Sequence, residues 1–321
     1  MKRGFQLNED KKRQINMIKF KEYLVNLGDV LKKTAKAWVE ADPFRQSAVV
    51  SYYAIFSIPA LLVIMITCVG LAFGQEAVQG KISGQISGAI GEDAAKQIEE
   101  MIANAGSQKN SVIATIISVI TLLLGATGVF SQLQASLNLI WEVKIVVKKK
   151  FLKTLKNRLF SFGLILSIGF LLLISLLLTT GLEAFGGWVK VHLPDFMLVI
   201  FKLLNFIISF GGVSVLFALM FKILPDAKIQ WRDVWIGAIA TSLLFILGKF
   251  ALGFYFAKAN PGSTYGASGS IILIMLWVSY SSMILFFGAE FTKQYAISNG
   301  REIEPAADAE LIDNAEKEKK K

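Results

Sequence analysis

The sequence predicts an all-α, polytopic membrane helix bundle with six transmembrane helices, and three observations carry that reading. Apolar residues fill 54% of its 321 positions and the mean hydropathy is +0.54, too apolar for a soluble domain of this length. Long uncharged runs recur, the clearest from Ile271 to Ala289. At about 1.5 Å of rise per residue, such a run crosses most of a hydrocarbon core about 30 Å thick. Lysine and arginine are also distributed very unevenly among the connections, and that asymmetry sets an orientation.

Residues 1–46 form a basic leader with no cleavable signal peptide, so the first span is expected to serve as its own insertion signal. Phe20, Leu24, Leu27, Leu31, Ala35 and Trp38 recur every three or four residues among Lys19, Lys21, Lys32, Lys33 and Lys36. That pattern is a basic amphipathic helix. It suits either an anionic membrane face or packing against the inner ends of the bundle. The first span, about 47–73, carries Tyr52, Tyr53, Ser57 and Pro59; the proline removes a backbone donor and predicts a kink. Residues 75–109 turn polar but keep Val78, Ile82, Ile86 and Ile90, then Ala94, Ile98 and Ile102, at four-residue spacing. They are expected to form an amphipathic helical hairpin on the outer side.

The second span, about 111–143, carries two stripes at 100° per residue: Thr121, Gly125, Gly128, Gln132 and Ala135, and beside them Thr127, Ser131, Gln134, Asn138 and Glu142. The first is small enough for close helix contact. The second suits a wet path or hydrogen bonds between helices. A basic connection, Lys144 to Arg158, leads to a third span at about 159–182 and a fourth at about 196–224. The turn PDAKIQWRD, with Trp231 near a membrane interface, precedes a fifth at about 234–257. The last span, about 271–292, places Trp277, Ser279, Tyr280, Ser281 and Ser282 near its middle and closes on Glu290, so it should face other helices. The charged tail, 293–321, has the composition of a disordered segment.

With the N-terminus inside, inner segments hold 27 of the 34 lysines and arginines and outer segments five. Both ends then lie in the cytoplasm (N-in/C-in), and the net charge of +10 has a topological origin rather than pointing to nucleic acid. The single cysteine, Cys68, excludes an intrachain disulfide, and the single histidine, His192, excludes a multi-histidine metal site. No cofactor is expected.

The phrases SYYAIFSIPALL (Ser51 to Leu62), GATGVFSQLQASLNLIWEV (Gly125 to Val143), LPDAKIQWRDVWIGA (Leu224 to Ala238), STYGASGSI (Ser263 to Ile271) and LWVSYSSMILFFGAEFT (Leu276 to Thr292) resemble the YihY / virulence factor BrkB family. The resemblance runs in order from about Ala37 to Tyr295. It implies a six-helix protein of the bacterial cytoplasmic (inner) membrane with both termini inside, for which transport, envelope lipid handling and stress resistance have been suggested. The family also carries an old ribonuclease label. In this chain the inner-side acids Asp42, Glu142, Asp226, Asp233 and Glu290 are far apart in sequence, and there is no HExxH, Walker A loop, nucleophile elbow or metal-spaced Cys/His set. The residues therefore argue against an enzyme.

The expectation is instead a transporter or flippase-like handler of a lipid or other amphiphile. Its path would be lined by Tyr53, Ser57 and Pro59 of the first span, Thr127, Ser131, Gln134 and Asn138 of the second, and Ser279, Ser282 and Glu290 of the last. No ATP-binding domain is encoded, so movement would be downhill, ion-coupled or partner-driven. Glu142 and Glu290 equally suit structural ion pairs with Arg158, Arg232 or Lys293. The alternative is a non-transporting scaffold that recruits envelope partners through Lys148, Lys149 and Lys150 or through the outer hairpin.

Overall fold

A computed structural model describes residues 27–57, 112–146, 195–259 and 269–312, with single helical positions at Gly80, Gly84 and Glu99. The leader before residue 27, Pro59, the outer hairpin apart from those positions, the third span and the end of the tail lie outside the described residues.

The chain enters as helix α1, residues 27–40, and turns at Asp42, whose φ of 52° is left-handed. Pro43 then opens α2, described over 43–57, because its fixed φ fits a first helical position. On α1, Val30 and Thr34 are buried. Trp38 donates its Nε1 hydrogen to the carbonyl of Met283 at 3.2 Å and stands edge-on to Phe287 with centroids 5.8 Å apart. This part of the leader therefore packs on the bundle.

Among the described residues four long helices follow: α3 (Val112–Ile140), α4 (Asp195–Ile223), α5 (Trp231–Ala259) and α6 (Gly269–Ser298). Among the described residues three of them carry segments long and apolar enough to cross a membrane: Phe206–Ile223, Trp231–Phe256 and Ile271–Ser298. Helix α3 ends where Glu142 takes φ 57°, the left-handed residue that closes many helices. Helix α6 runs six residues past 292, the end expected for the last span. It stops at Gly300, φ 70°, where the Arg301 amide reaches back to the Ala296 carbonyl at 3.1 Å. Glycine is suited to that turn because it carries no Cβ.

The all-α expectation needs one correction, because the tail segment 299–312 is ordered and contributes strands. Strand β1 (Val143–Ile145) pairs antiparallel with β4 (Ala309–Leu311), and β2 (Ala227–Lys228) pairs antiparallel with β3 (Glu304–Pro305). Further backbone bonds extend both ladders, Ile312 N to Glu142 O at 2.8 Å and Ala306 N to Asp226 O at 2.9 Å. The tail is charged enough to read as disordered alone. It is held by unpaired backbone left where α3 ends and where α4 turns into α5. The C-terminal ends of α3, α4 and α6 and the N-terminal end of α5 thus meet at one capped end of the bundle.

Among the described helices, α5 and α6 make the closest approach. Thr292 lies against Gly237, Thr241 against Gly288, and Tyr280 against Gly248, so closely that a methyl at any of the three glycines would overlap its neighbour. Each threonine donates to the glycine carbonyl one turn back in its own helix, Thr241 to Gly237 O at 2.6 Å and Thr292 to Gly288 O at 2.7 Å. The hydroxyls are satisfied within their own helices, and each threonine side chain, its oxygen nearest, occupies the space a Cβ on the opposing glycine would take, which is the close packing that membrane helices use in place of a hydrophobic driving force. Around this pair Leu137, Trp141, Phe221, Val234 and Phe286 form the buried core. Phe217, Phe245 and Trp277 continue it edge-to-face at 5.7 and 6.2 Å.

Candidate functional site

Helix α2 crosses α3 through two glycines. Phe56 and Ser57 lie over Gly125, and the Tyr53 ring covers Gly128. The small stripe predicted for the second span is used here for close contact, with Tyr52, Tyr53 and Phe56 clustered beside it at ring distances of 5.2–5.5 Å. The Ser57 hydroxyl donates to the Ala54 carbonyl at 3.2 Å in its own helix.

Toward the capped end the second stripe has a specific target. Gln134 Nε2 and Asn138 Nδ2 both donate to Asp226 Oδ2, at 3.0 and 2.9 Å, and the Asp226 amide donates to Asn138 Oδ1 at 2.8 Å. Three hydrogen bonds therefore pin the α4–α5 turn to α3. Two residues assigned to a polar path are engaged in holding helices together. Ser279 is similarly engaged, its hydroxyl 3.1 Å from that of Ser47 on α2, and Ser282 is buried on α6. Thr127 is half-buried and Ser131 is exposed on α3.

Two buried acids complete the capped end. Glu290, 2% exposed, accepts from Gln294 Nε2 at 2.7 Å and lies 3.8 Å from Lys293 Nζ, which itself pairs with Glu142 at 3.0 Å. Asp233, 1% exposed in the first turn of α5, is paired with Arg301 from the tail. Its charge also sits favourably against the positive end of the helix dipole. Buried carboxylates require such partners, since leaving one unpaired costs several kcal/mol. Among the described residues no group of three or more His, Cys, Asp or Glu side chains is placed to hold a metal ion.

The expected path residues thus separate into groups. Tyr53 and Ser57 meet α3, Gln134 and Asn138 meet Asp226, Ser279 meets Ser47, and Glu290 joins the Lys293 ion pairs. Among the described residues each of these groups engages a different partner. Asp226 and Arg301 were missing from the expected set. The former was legible as an acid in a tight turn facing the amide-bearing end of the second span. The latter had no local signal, because its partner is 68 residues away.

A family model described as "Virulence factor BrkB" matches residues 34–312. A "UPF0761 membrane protein" of Tolumonas auensis is 28% identical over 186 residues, covering 57% of this chain and 58% of that protein. One of Verminephrobacter eiseniae is 28% identical over 221 residues, covering 68% and 49%. One of Pseudoalteromonas atlantica is 25% identical over 247 residues, covering 75% and 77%. The chain therefore spans about half to three-fifths of the length of the first two. No solved structure matches. The matched range takes in the second half of the leader helix, the four long helices and the strands that cap them, and the chain belongs to the BrkB virulence factor family of integral membrane proteins.

Proposed function

We propose that this protein handles a lipid or other amphiphile in the bacterial inner membrane, without catalysis, in a six-span N-in/C-in topology. The observation that carries this reading is the outward placement of the hydroxyl-bearing part of α3. Ser131 is exposed and Thr127 half-buried on a helix whose neighbour α2 presents exposed Tyr52 and Phe56 on adjoining levels. Hydroxyls beside aromatic rings at a lipid-facing helix pair suit a molecule with a polar head and an apolar body. The path is accordingly narrower than the sequence implied. It uses Tyr52, Tyr53, Thr127 and Ser131, while Gln134, Asn138, Ser279 and Glu290 hold the bundle together.

The test is lipid movement in vesicles containing the purified protein, with a fluorescent phospholipid bleached from outside by a membrane-impermeant reductant. Faster loss of inner-leaflet signal than in protein-free vesicles, slowed by Ser131→Leu or Tyr52→Ala at unchanged folded yield, is expected. Signal loss equal to protein-free vesicles across phospholipid classes would sink the reading. It would favour the scaffold, which is supported by the strand-capped, ion-paired end. A scaffold would keep its partners when Ser131 is replaced and lose them when Lys148, Lys149 and Lys150 are neutralised.

A further inference from the structure

The surface of α1 divides into three adjoining sectors. Projected at 100° per residue, Val30, Thr34 and Trp38 occupy one arc of about 80°, Leu31, Ala35 and Val39 the next arc of about 80°, and Lys32 and Lys36 the arc beyond. The first sector is directed into the protein: Val30 and Thr34 are buried and Trp38 is bonded to α6. The second is apolar yet uncovered, with Leu31 43% and Val39 63% exposed. Phe44, 65% exposed, extends it past the turn, its ring 6.1 Å from that of Trp38. In the third, Lys32 and Lys36 are exposed and in no ion pair among the described residues, whereas Lys33 pairs with Asp29 at 2.8 Å on the far side.

The depth of the helix follows from where Trp38 docks. Its contacts on α6, Met283 and Phe287, lie three to seven residues before Glu290, where the uncharged run ends. At 1.5 Å per residue that is about 5–10 Å inside the polar boundary, the depth to which interfacial helices bury their apolar faces.

We propose that α1 is an in-plane interfacial helix that clips to α6 through Trp38 and embeds Leu31, Val39 and Phe44 in the leaflet at the capped end, with Lys32 and Lys36 binding anionic phospholipid headgroups. The two settings compatible with the sequence are thereby combined on adjoining stripes of one helix. The occupant is a lipid surface because the apolar stripe adjoins a membrane-crossing helix on one side and exposed cations on the other, an order that matches acyl chain and then phosphate.

The experiment uses the full chain in lipid nanodiscs, in a Cys68→Ser background with single cysteines at Leu31, Val39 or Asp29 carrying an environment-sensitive fluorophore. Labels at Leu31 and Val39 should be blue-shifted, quenched by nitroxide-bearing lipids and insensitive to aqueous iodide, and the label at Asp29 should behave in the opposite way. Iodide quenching at Leu31 and Val39 would overturn the proposal. So would shielding from both quenchers, which would mean that a protein covers the stripe. Native mass spectrometry of Lys32→Glu/Lys36→Glu tests the headgroup: fewer retained phosphatidylglycerol molecules at unchanged Tm are expected, and an unchanged number would overturn the anionic assignment.

Discussion

Asn138 both donates to and accepts from Asp226, so it acts as a two-way clasp between α3 and the α4–α5 turn. Asn138→Leu keeps the branched shape of the side chain and removes both bonds, leaving a half-buried carboxylate and a backbone amide short of partners. A loss of about 1–2 kcal/mol is expected, read as a lower Tm in detergent. The Arg301–Asp233 pair should be more demanding. Arg301→Ala strands a buried carboxylate and is expected to cost about 3 kcal/mol. Adding Asp233→Asn should recover much of that loss, since the charge left without a partner is gone. A double variant as unstable as the single one would mean that Arg301 acts through packing. At this scale the sequence was half legible. Hydroxyls and amides spaced three and four residues apart marked a polar stripe on the second span, but the acid that receives Gln134 and Asn138 lies 88 residues away from Asn138 and carried no periodic signal.

Among the elements, the long helices were readable because an uncharged run of membrane length leaves a chain few alternatives to helix. Their ends were less so. Helix α6 was expected to stop near Thr292, yet Lys293 is buried inside it against Glu142 and Glu290. The strands were invisible, since ladders of two or three residues have no alternation to detect and depend on backbone edges from remote segments. Removing residues after Asn299 should therefore free the α3 terminus and the α4–α5 turn. Amide hydrogen exchange is expected to rise at residues 143–146 and 224–230 and to remain unchanged near Gly288. The α5–α6 contact makes the opposite demand. Gly288→Leu forces a side chain into the space of Thr241 and is expected to abolish the folded, monodisperse protein, whereas Thr241→Ala removes only a methyl and an intrahelical bond and should cost about 1 kcal/mol.

For the whole molecule, the charge asymmetry predicts that the capped end faces the cytoplasm. Fluorescent protein fused after Lys321 should fold and fluoresce, and alkaline phosphatase inserted near Gly91 should be active. The reverse pattern would invert the topology and move the interfacial helix to the other leaflet. What the membrane-crossing part can do mechanically is already constrained by the repeated G-A-x-x-T, Gly237 to Thr241 on α5 and Gly288 to Thr292 on α6. Because the two helices run in opposite directions, the repeat reads alike from either side, and it fits in a single register. Sliding one helix by a turn in one direction would bring threonine onto threonine; sliding it the other way would bring glycine opposite glycine and open a gap. Helices α5 and α6 thus behave as a keyed shaft, and any working stroke of this protein must carry them together while other helices move around them.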